Sequence, residues 1–301
     1  MNLSELCSKL DAYFNIAAYA ETDWHDLIPE AARGALQRFL QDGFTTTWNG
    51  LMLNNVPPDD DIDRVYLAVF PSQDVLDTII AREVERGAPG TLIFTHHPLS
   101  YSESKAVFKP IPTAQLEELQ SHHISLYSCH APLDCHPETS TTSALAAALE
   151  LEEGTQFGQY YAGKAGIHGK VTPTTFQDFA KRLAEVCELP YLRYDQCHHN
   201  GQSVHHVAIV AGGGGDIDFI NEASAFGADT YITGHWWLFG DSEFGQQHRE
   251  KMQAFVPTLK LNLLGASHYS SEMVVMRDQM VDWFREQNLE AMLMRQEDPW
   301  Q

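Results

Sequence analysis

The chain has little that would tie it to a membrane or to nucleic acid. No run among its 301 residues reaches the ~20 continuous apolar residues that a spanning helix needs. Basic residues are scarce: 19 Lys and Arg stand against 41 Asp and Glu, a formal net charge of −22. No Lys/Arg cluster interrupts that excess, so a phosphate backbone would be repelled and nucleic-acid binding by charge is disfavoured. Cysteine is sparse too. The five are irregularly spaced and include no CxxC, which favours reduced intracellular thiols over a disulfide framework. The opening residues, Met1 to Asp11, lack a basic stretch followed by an apolar one. The expectation is therefore no secretory signal and a cytoplasmic location. There is no G-x-S-x-G elbow to support serine hydrolysis.

What is present suits a globular protein with one large or two smaller cores, at 44% apolar and 11% aromatic content. Helical patterns cover Leu3 to about Phe14 and Asp23 to Gln41, the latter with Pro29 in its first turns. After the Pro57–Asp61 loop a strand–helix–strand rhythm begins. Strands are predicted at Val65–Phe70, Thr91–Thr95 and Ile124–Ser128, and helices at Val75–Arg86, Thr113–Ser121 and Ser140–Leu151. The rhythm resumes with a helix at Phe176–Cys187, a strand at Val204–Ala211 and a helix at Ile217–Phe226. Strands at Thr230–Thr233 and Leu259–Leu264, a helix at Tyr269–Glu286 and a short strand at Ala291–Met294 complete it. This alternation predicts an α/β protein of two related lobes, each a mostly parallel sheet flanked by helices. The expected division is 1–150 with 255–301 as a metal-binding lobe and 151–254 as the second. In open α/β sheets ligands bind beyond the carboxyl ends of the strands, so a metal site is expected in the cleft there.

Three segments put metal-ligand chemistry at those ends. His96 and His97 close the Thr91–Thr95 run ahead of Pro98, Asp134 follows the Ile124–Ser128 run, and His268 and Glu272 stand four residues apart after Leu264. Spacing of four places two side chains on one helical face. Imidazole nitrogens with carboxylate oxygens suit a borderline divalent transition metal. Three histidines and two carboxylates exceed what one tetrahedral ion needs, and a carboxylate can bridge, so two ions sharing one site is the natural expectation.

Other motifs read more simply. The chain has 15 histidines, four adjacent pairs among them. His122-His123 closes a helix, where a cation suits the dipole. His198-His199 and His205-His206 flank the turn signal Asn200-Gly201. All three pairs are read as structural. Gly212 to Gly215 fits neither GxGxxG nor a P-loop, and Asp216 at the following helix start would oppose an anion, so a strand–helix turn with an Asp cap is expected. Cys129 and Cys135 are expected as small buried hydrophobes rather than thiolate ligands. Trp236-Trp237 is either a core plug or an exposed aromatic pair able to stack on a base.

Taken together, several segments resemble the Nif-three-like dinuclear-metal-centre family, also labelled GTP cyclohydrolase 1 type 2 homologues. They are Trp48 to Leu51, Thr95 to Leu99, His130 to Asp134, Ala211 to Gly215, Gly227 to Asp229, Thr233-Gly234 and Gly265 to Glu272, in that order. The resemblance covers roughly Thr47 to Gln287. It implies two divalent ions held by His96, His97, Asp134, His268 and Glu272, a two-lobed α/β fold and a homohexamer built as a trimer of dimers. His130 matches a family histidine near the metals that suits proton transfer. Two departures stand out: residues 18–46 look extra or diverged, and His235 occupies a place that is usually acidic in the family.

The function expected from these residues and the resemblance is metal-dependent hydrolysis. A metal-bridging hydroxide would attack a nucleotide or other phosphorylated small molecule, with GTP-type ring opening as one case. The other class is a non-enzymatic metal-storage, metal-sensing or partner-binding protein. The N/O ligand set admits Zn, Fe, Mn, Co or Ni.

Overall fold

A computed structural model describes residues 1–102 and 107–300. It is a mixed α/β fold whose sheets are mostly of parallel strands flanked by helices. The chain forms two compact units. The first comprises 1–102, 107–133 and 276–297, and the second comprises 134–275 with 298–300.

The first unit is built on a sheet of strands in the order Gly50–Leu53, Ile124–Ser128, Thr91–Thr95, Arg64–Ala68, Glu290–Leu293. Every pairing is parallel except that of Gly50–Leu53 at the edge. The two inner strands after Arg64–Ala68 are buried along their whole length, as their unbroken apolar runs require. Helix Gln73–Arg86 is closed by Gly87 in the left-handed conformation, φ 64°. The expected long helix from Asp23 to Gln41 is instead two short ones, Trp24–Leu27 and Glu30–Leu36. Pro29 separates them because it forces Ile28 out of the helical region, to φ −85°, ψ 125°. That segment is not an appendage: Trp24, Ile28, Leu36, Leu40 and Phe44 join Met52, Tyr66 and Ile93 in one core.

The second unit holds a six-stranded sheet in the order Glu152–Tyr160, Gly163–Thr174, Val204–Val210, Thr230–Thr233, Asn262–Gly265, Cys197–His198. Its centre is parallel and its two sides are antiparallel. The antiparallel hairpin of residues 152–174 was not anticipated. Its first strand is mostly exposed, so it offers no apolar alternation to read. His205-His206 lies within strand Val204–Val210, inside the run predicted as a strand. His199 stacks on Phe176, with centroids 4.4 Å apart, and His205 Nδ1 meets the Val171 carbonyl at 2.7 Å.

The units divide elsewhere than the sequence reading placed them. Residues 134–150 and 255–275 belong with the second unit, because strand Asn262–Gly265 pairs with Thr230–Thr233. The expected helix Tyr269–Glu286 is interrupted by a π turn at Met276–Met280, where the chain passes from the second unit to the first. Trp236 is a core plug. Its ring is buried beside Tyr231 and Met252, and its Nε1 donates to the Gln196 carbonyl at 2.6 Å. No disulfide joins cysteines among the described residues. No described helix is long and apolar enough to cross a membrane.

Candidate metal-binding residues

In the first unit His96 and His97 extend the sheet ladder by two residues. Their backbone N–H groups donate to the carbonyls of Ala68 and Val69, at 3.2 and 2.9 Å. The backbone is therefore held where the strand ends. His96 Nδ1 lies 2.9 Å from the Cys129 carbonyl and donates to it, which leaves Nε2 as the ligand atom. His97 is stacked flat on Phe70, centroids 4.1 Å apart and 10° between planes. Both rings are buried, at 0% and 1% exposure.

His130 joins them. One ligand atom each from His96, His97 and His130 lies within 4.8 Å of the other two. The His130 ring is held by a carboxylate that sequence reasoning did not single out. Glu21 is 0% exposed and meets His130 Nδ1 through Oε2 at 2.5 Å. The same carboxylate accepts from Trp24 Nε1 at 3.0 Å, Asn49 Nδ2 at 2.7 Å and the Ala131 N–H at 2.9 Å. Asn49 Oδ1 in turn accepts the His130 N–H at 2.7 Å. Burial by itself pushes the Glu21 carboxyl up; the charge and hydrogen bond of His130, with those from Asn49 and Trp24, outweigh it and hold the group at about 2. Trp24 stands edge-on to His130, 4.9 Å away and at 88°. Glu21 and Trp24 both come from the 18–46 segment. Nothing marked Glu21 in the sequence, since it sits in a stretch with no periodicity and beside another acid, Asp23.

In the second unit His268 and Glu272 open the helix after strand Asn262–Gly265. His268 Nε2 and Glu272 Oε1 are 2.9 Å apart, and Glu272 is buried at 3% exposure. The i,i+4 spacing thus produces the pairing expected of it. The Gly212 turn lies against this pair. A Cβ on Gly212 would collide with Glu272 Oε1 and come within 3.2 Å of His268 Nε2. Asp216 does cap its helix, accepting from the Asp218 N–H at 2.7 Å. The glycine run therefore has a second use, giving the Glu272 carboxylate room. Asp134, half-buried, accepts from Thr141 Oγ1 at 2.8 Å. Cys135 Sγ instead faces the Tyr160 carbonyl at 3.4 Å.

Residues 298–300 secure the start of that helix. Asp298 accepts from Ser267 Oγ at 2.7 Å, Ser270 Oγ at 2.9 Å and the Trp300 N–H at 2.9 Å. Burial raises the Asp298 carboxyl, and these bonds only partly offset the effect. His235 is buried beside His268. Burial, then the neighbouring His268 and His248, push it well below the usual imidazole range, so it is uncharged at neutral pH.

The donor sets fit a divalent transition metal. Buried imidazoles whose ligand atoms converge, and a buried carboxylate against an imidazole, are what such an ion recruits.

The chain is 28% identical over 273 residues to a Pyrococcus horikoshii protein named GTP cyclohydrolase 1 type 2 homolog, covering 90% of this chain and 89% of that one. A Deinococcus radiodurans protein of the same name is 29% identical over 239 residues, covering 76% and 77%. Among solved structures, protein ybgI, of unknown function, superposes with a TM-score of 0.65 at 24% identity, over 99% of this chain and 100% of that one. TTHA1606 from Thermus thermophilus gives 0.63 at 22% identity, over 99% of each. Those two likenesses concern the fold. The family model for Duf34/NIF3 (NGG1p interacting factor 3) matches residues 35–299, and the chain belongs to that family.

Proposed function

We propose that the protein is a dinuclear divalent-metal hydrolase acting on a nucleotide or another phosphorylated small molecule, GTP-type ring opening being the specific case. His96, His97, Asp134, His268 and Glu272 are the metal ligands in this reading, and His130 is the proton carrier. The observation that carries it is the buried Glu21–His130 pair beside His96 and His97. An imidazole oriented by a buried carboxylate through Nδ1, with its other nitrogen turned toward two candidate ligand histidines, is an arrangement that serves acid–base catalysis. The names of the relatives point the same way.

Two ions bound by these ligands supply Lewis acidity and water of lowered pKa. The chain supplies the rest. Glu21 fixes the His130 ring by holding its Nδ1–H, so that Nε2 takes or gives the proton. Trp24 and Phe70 keep the imidazoles dry on their outer sides. We take the assembly to be the hexamer that the family resemblance implies.

The test is the metal content of the purified protein by mass spectrometry. Wild type is expected to hold about two divalent ions per chain, as a two-metal site requires. His97→Ala and Glu272→Ala are each expected to lose at least one. A wild type with only trace metal ends this reading. Stoichiometric metal with no turnover on a panel of nucleotides and phosphoesters favours the storage or sensing protein.

A further inference from the structure

His268 is reached through a single joint in the backbone. On one side the Ala266 N–H donates to the Thr233 carbonyl at 2.9 Å, so the chain there is still held by the sheet. On the other side helix His268–Val275 has begun, and the Ser271 N–H donates to the Ser267 carbonyl at 3.0 Å. Ser267 turns the chain from one to the other. It does so in the left-handed conformation, φ +64°. The residue that caps a helix start ordinarily sits in the extended region, and a side chain other than glycine is strained in the left-handed one. Such a conformation persists only where the surroundings over-determine it.

Here the constraint comes from Asp298, 31 positions further along the chain. Ser267 Oγ donates to Asp298 Oδ1 at 2.7 Å and accepts the Ser270 N–H at 3.2 Å, while Ser270 Oγ donates to Asp298 Oδ2 at 2.9 Å. One carboxylate therefore grips the joint and the first turn of the helix together. Both serines are buried. The carboxylate is itself anchored. Asp298 Oδ1 accepts the Trp300 N–H at 2.9 Å, and Arg193 Nη1 donates to the Trp300 carbonyl at 3.2 Å. The buried Trp300 ring closes against the His268 ring, with centroids 4.8 Å apart. Residues 298–300 thus form a strap within the same unit as His268 and Glu272.

We propose that Asp298 is the positioning residue for His268 and Glu272. By locking Ser267 in its left-handed turn it fixes where His268, and Glu272 one helical turn on, present their donor atoms. Trp300 keeps the His268 ring from swinging aside. Asp298 acts through the backbone and not as a ligand. Without it Ser267 relaxes out of the left-handed region, and a change of dihedral at the joint reorients the whole start of the helix. This role rests on the proposed metal site.

The test uses the full chain, Zn²⁺ and a competing chelator. Asp298→Ala is expected to weaken Zn²⁺ binding about 10-fold or more, the lower end of the cost of losing an outer partner of a metal ligand. Ser267→Gly supplies the rescue. Glycine takes the left-handed turn without help, and it replaces serine at a helix start at little cost. Asp298→Ala combined with Ser267→Gly is therefore expected to recover most of the lost affinity. Asp229→Ala is the structural control. That carboxylate accepts the His205 N–H at 3.0 Å, the His206 N–H at 2.7 Å and Thr230 Oγ1 at 2.8 Å, at the opposite end of the sheet from His268. Its loss is expected to lower the melting temperature and leave Zn²⁺ affinity as in wild type. Asp298→Asn keeps the size of the side chain and one acceptor oxygen. It is expected to lose less affinity than Asp298→Ala, and it carries the comparison if the alanine variant does not fold. Equal affinity of wild type and the Asp298 variants, an equal loss in Asp229→Ala, or no recovery in the double variant overturns the proposal and leaves the metal site standing. A wild type that takes up no Zn²⁺ removes both.

Discussion

Glu21→Ala is expected to lower the stability of the chain by about 3–5 kcal/mol, the range for removing one partner of a buried ion pair. The cause is the number of donors left behind. Trp24 Nε1, Asn49 Nδ2, the Ala131 N–H and His130 Nδ1 would all lose the same acceptor inside a dry pocket. Urea unfolding followed by fluorescence measures it, and a loss under about 1 kcal/mol, the net worth of one ordinary hydrogen bond, would contradict the arrangement. Glu21→Gln separates charge from shape. The wild-type carboxyl sits at about 2 in the fold against an ordinary 4.5. A carboxyl lowered by folding stabilises the fold above its unfolded value, and that contribution is lost as pH falls toward its folded value. The difference in stability between wild type and Glu21→Gln is thus expected to be largest above pH 4.5 and to shrink toward pH 2. A difference that is flat across that window would show that Glu21 is not held as a carboxylate.

Gly212→Ala carries the second large effect. The backbone there is left-handed, φ +68°, and the added methyl would collide with Glu272 Oε1 and sit 2.8 Å from its Cδ. A non-glycine residue in strained backbone costs about 1–3 kcal/mol, and overpacking costs about 1–3 kcal/mol more. The carboxylate must move away, so the variant is also expected to bind less metal than wild type. Gly227→Ala is the control. Its φ is +79°, but nothing lies within 4 Å of its added Cβ. It should show the backbone cost alone and bind metal as wild type does. If Gly212→Ala matches Gly227→Ala in both readouts, Glu272 does not need the space that Gly212 leaves.

These two sites differ in how far they could be read in advance. The positions of His96, His97 and His268 just beyond buried apolar runs were legible, and the structure puts those three past strand ends, with Glu272 one helical turn on from His268. The parallel core strands were legible for the same reason, since burial on both faces writes an unbroken apolar run into the chain. The hairpin of residues 152–174 was not, because its exposed first strand imposes no such pattern. Pro29 was visible in the sequence, but its consequence was underestimated: the helix was expected to continue through it, and the chain bends there instead.

By itself the sequence determined the candidate donor residues, the α/β alternation and the family's motif order, all of which depend on neighbours along the chain. Tertiary structure alone decided that Glu21 belongs to His130, 109 positions away, that Gly212 makes room for Glu272, and that His235 and Trp300 attend His268. Hydrogen bonds and close approaches between distant segments leave no period in the sequence. They exist only once backbone packing has brought the partners within about 3 Å of each other.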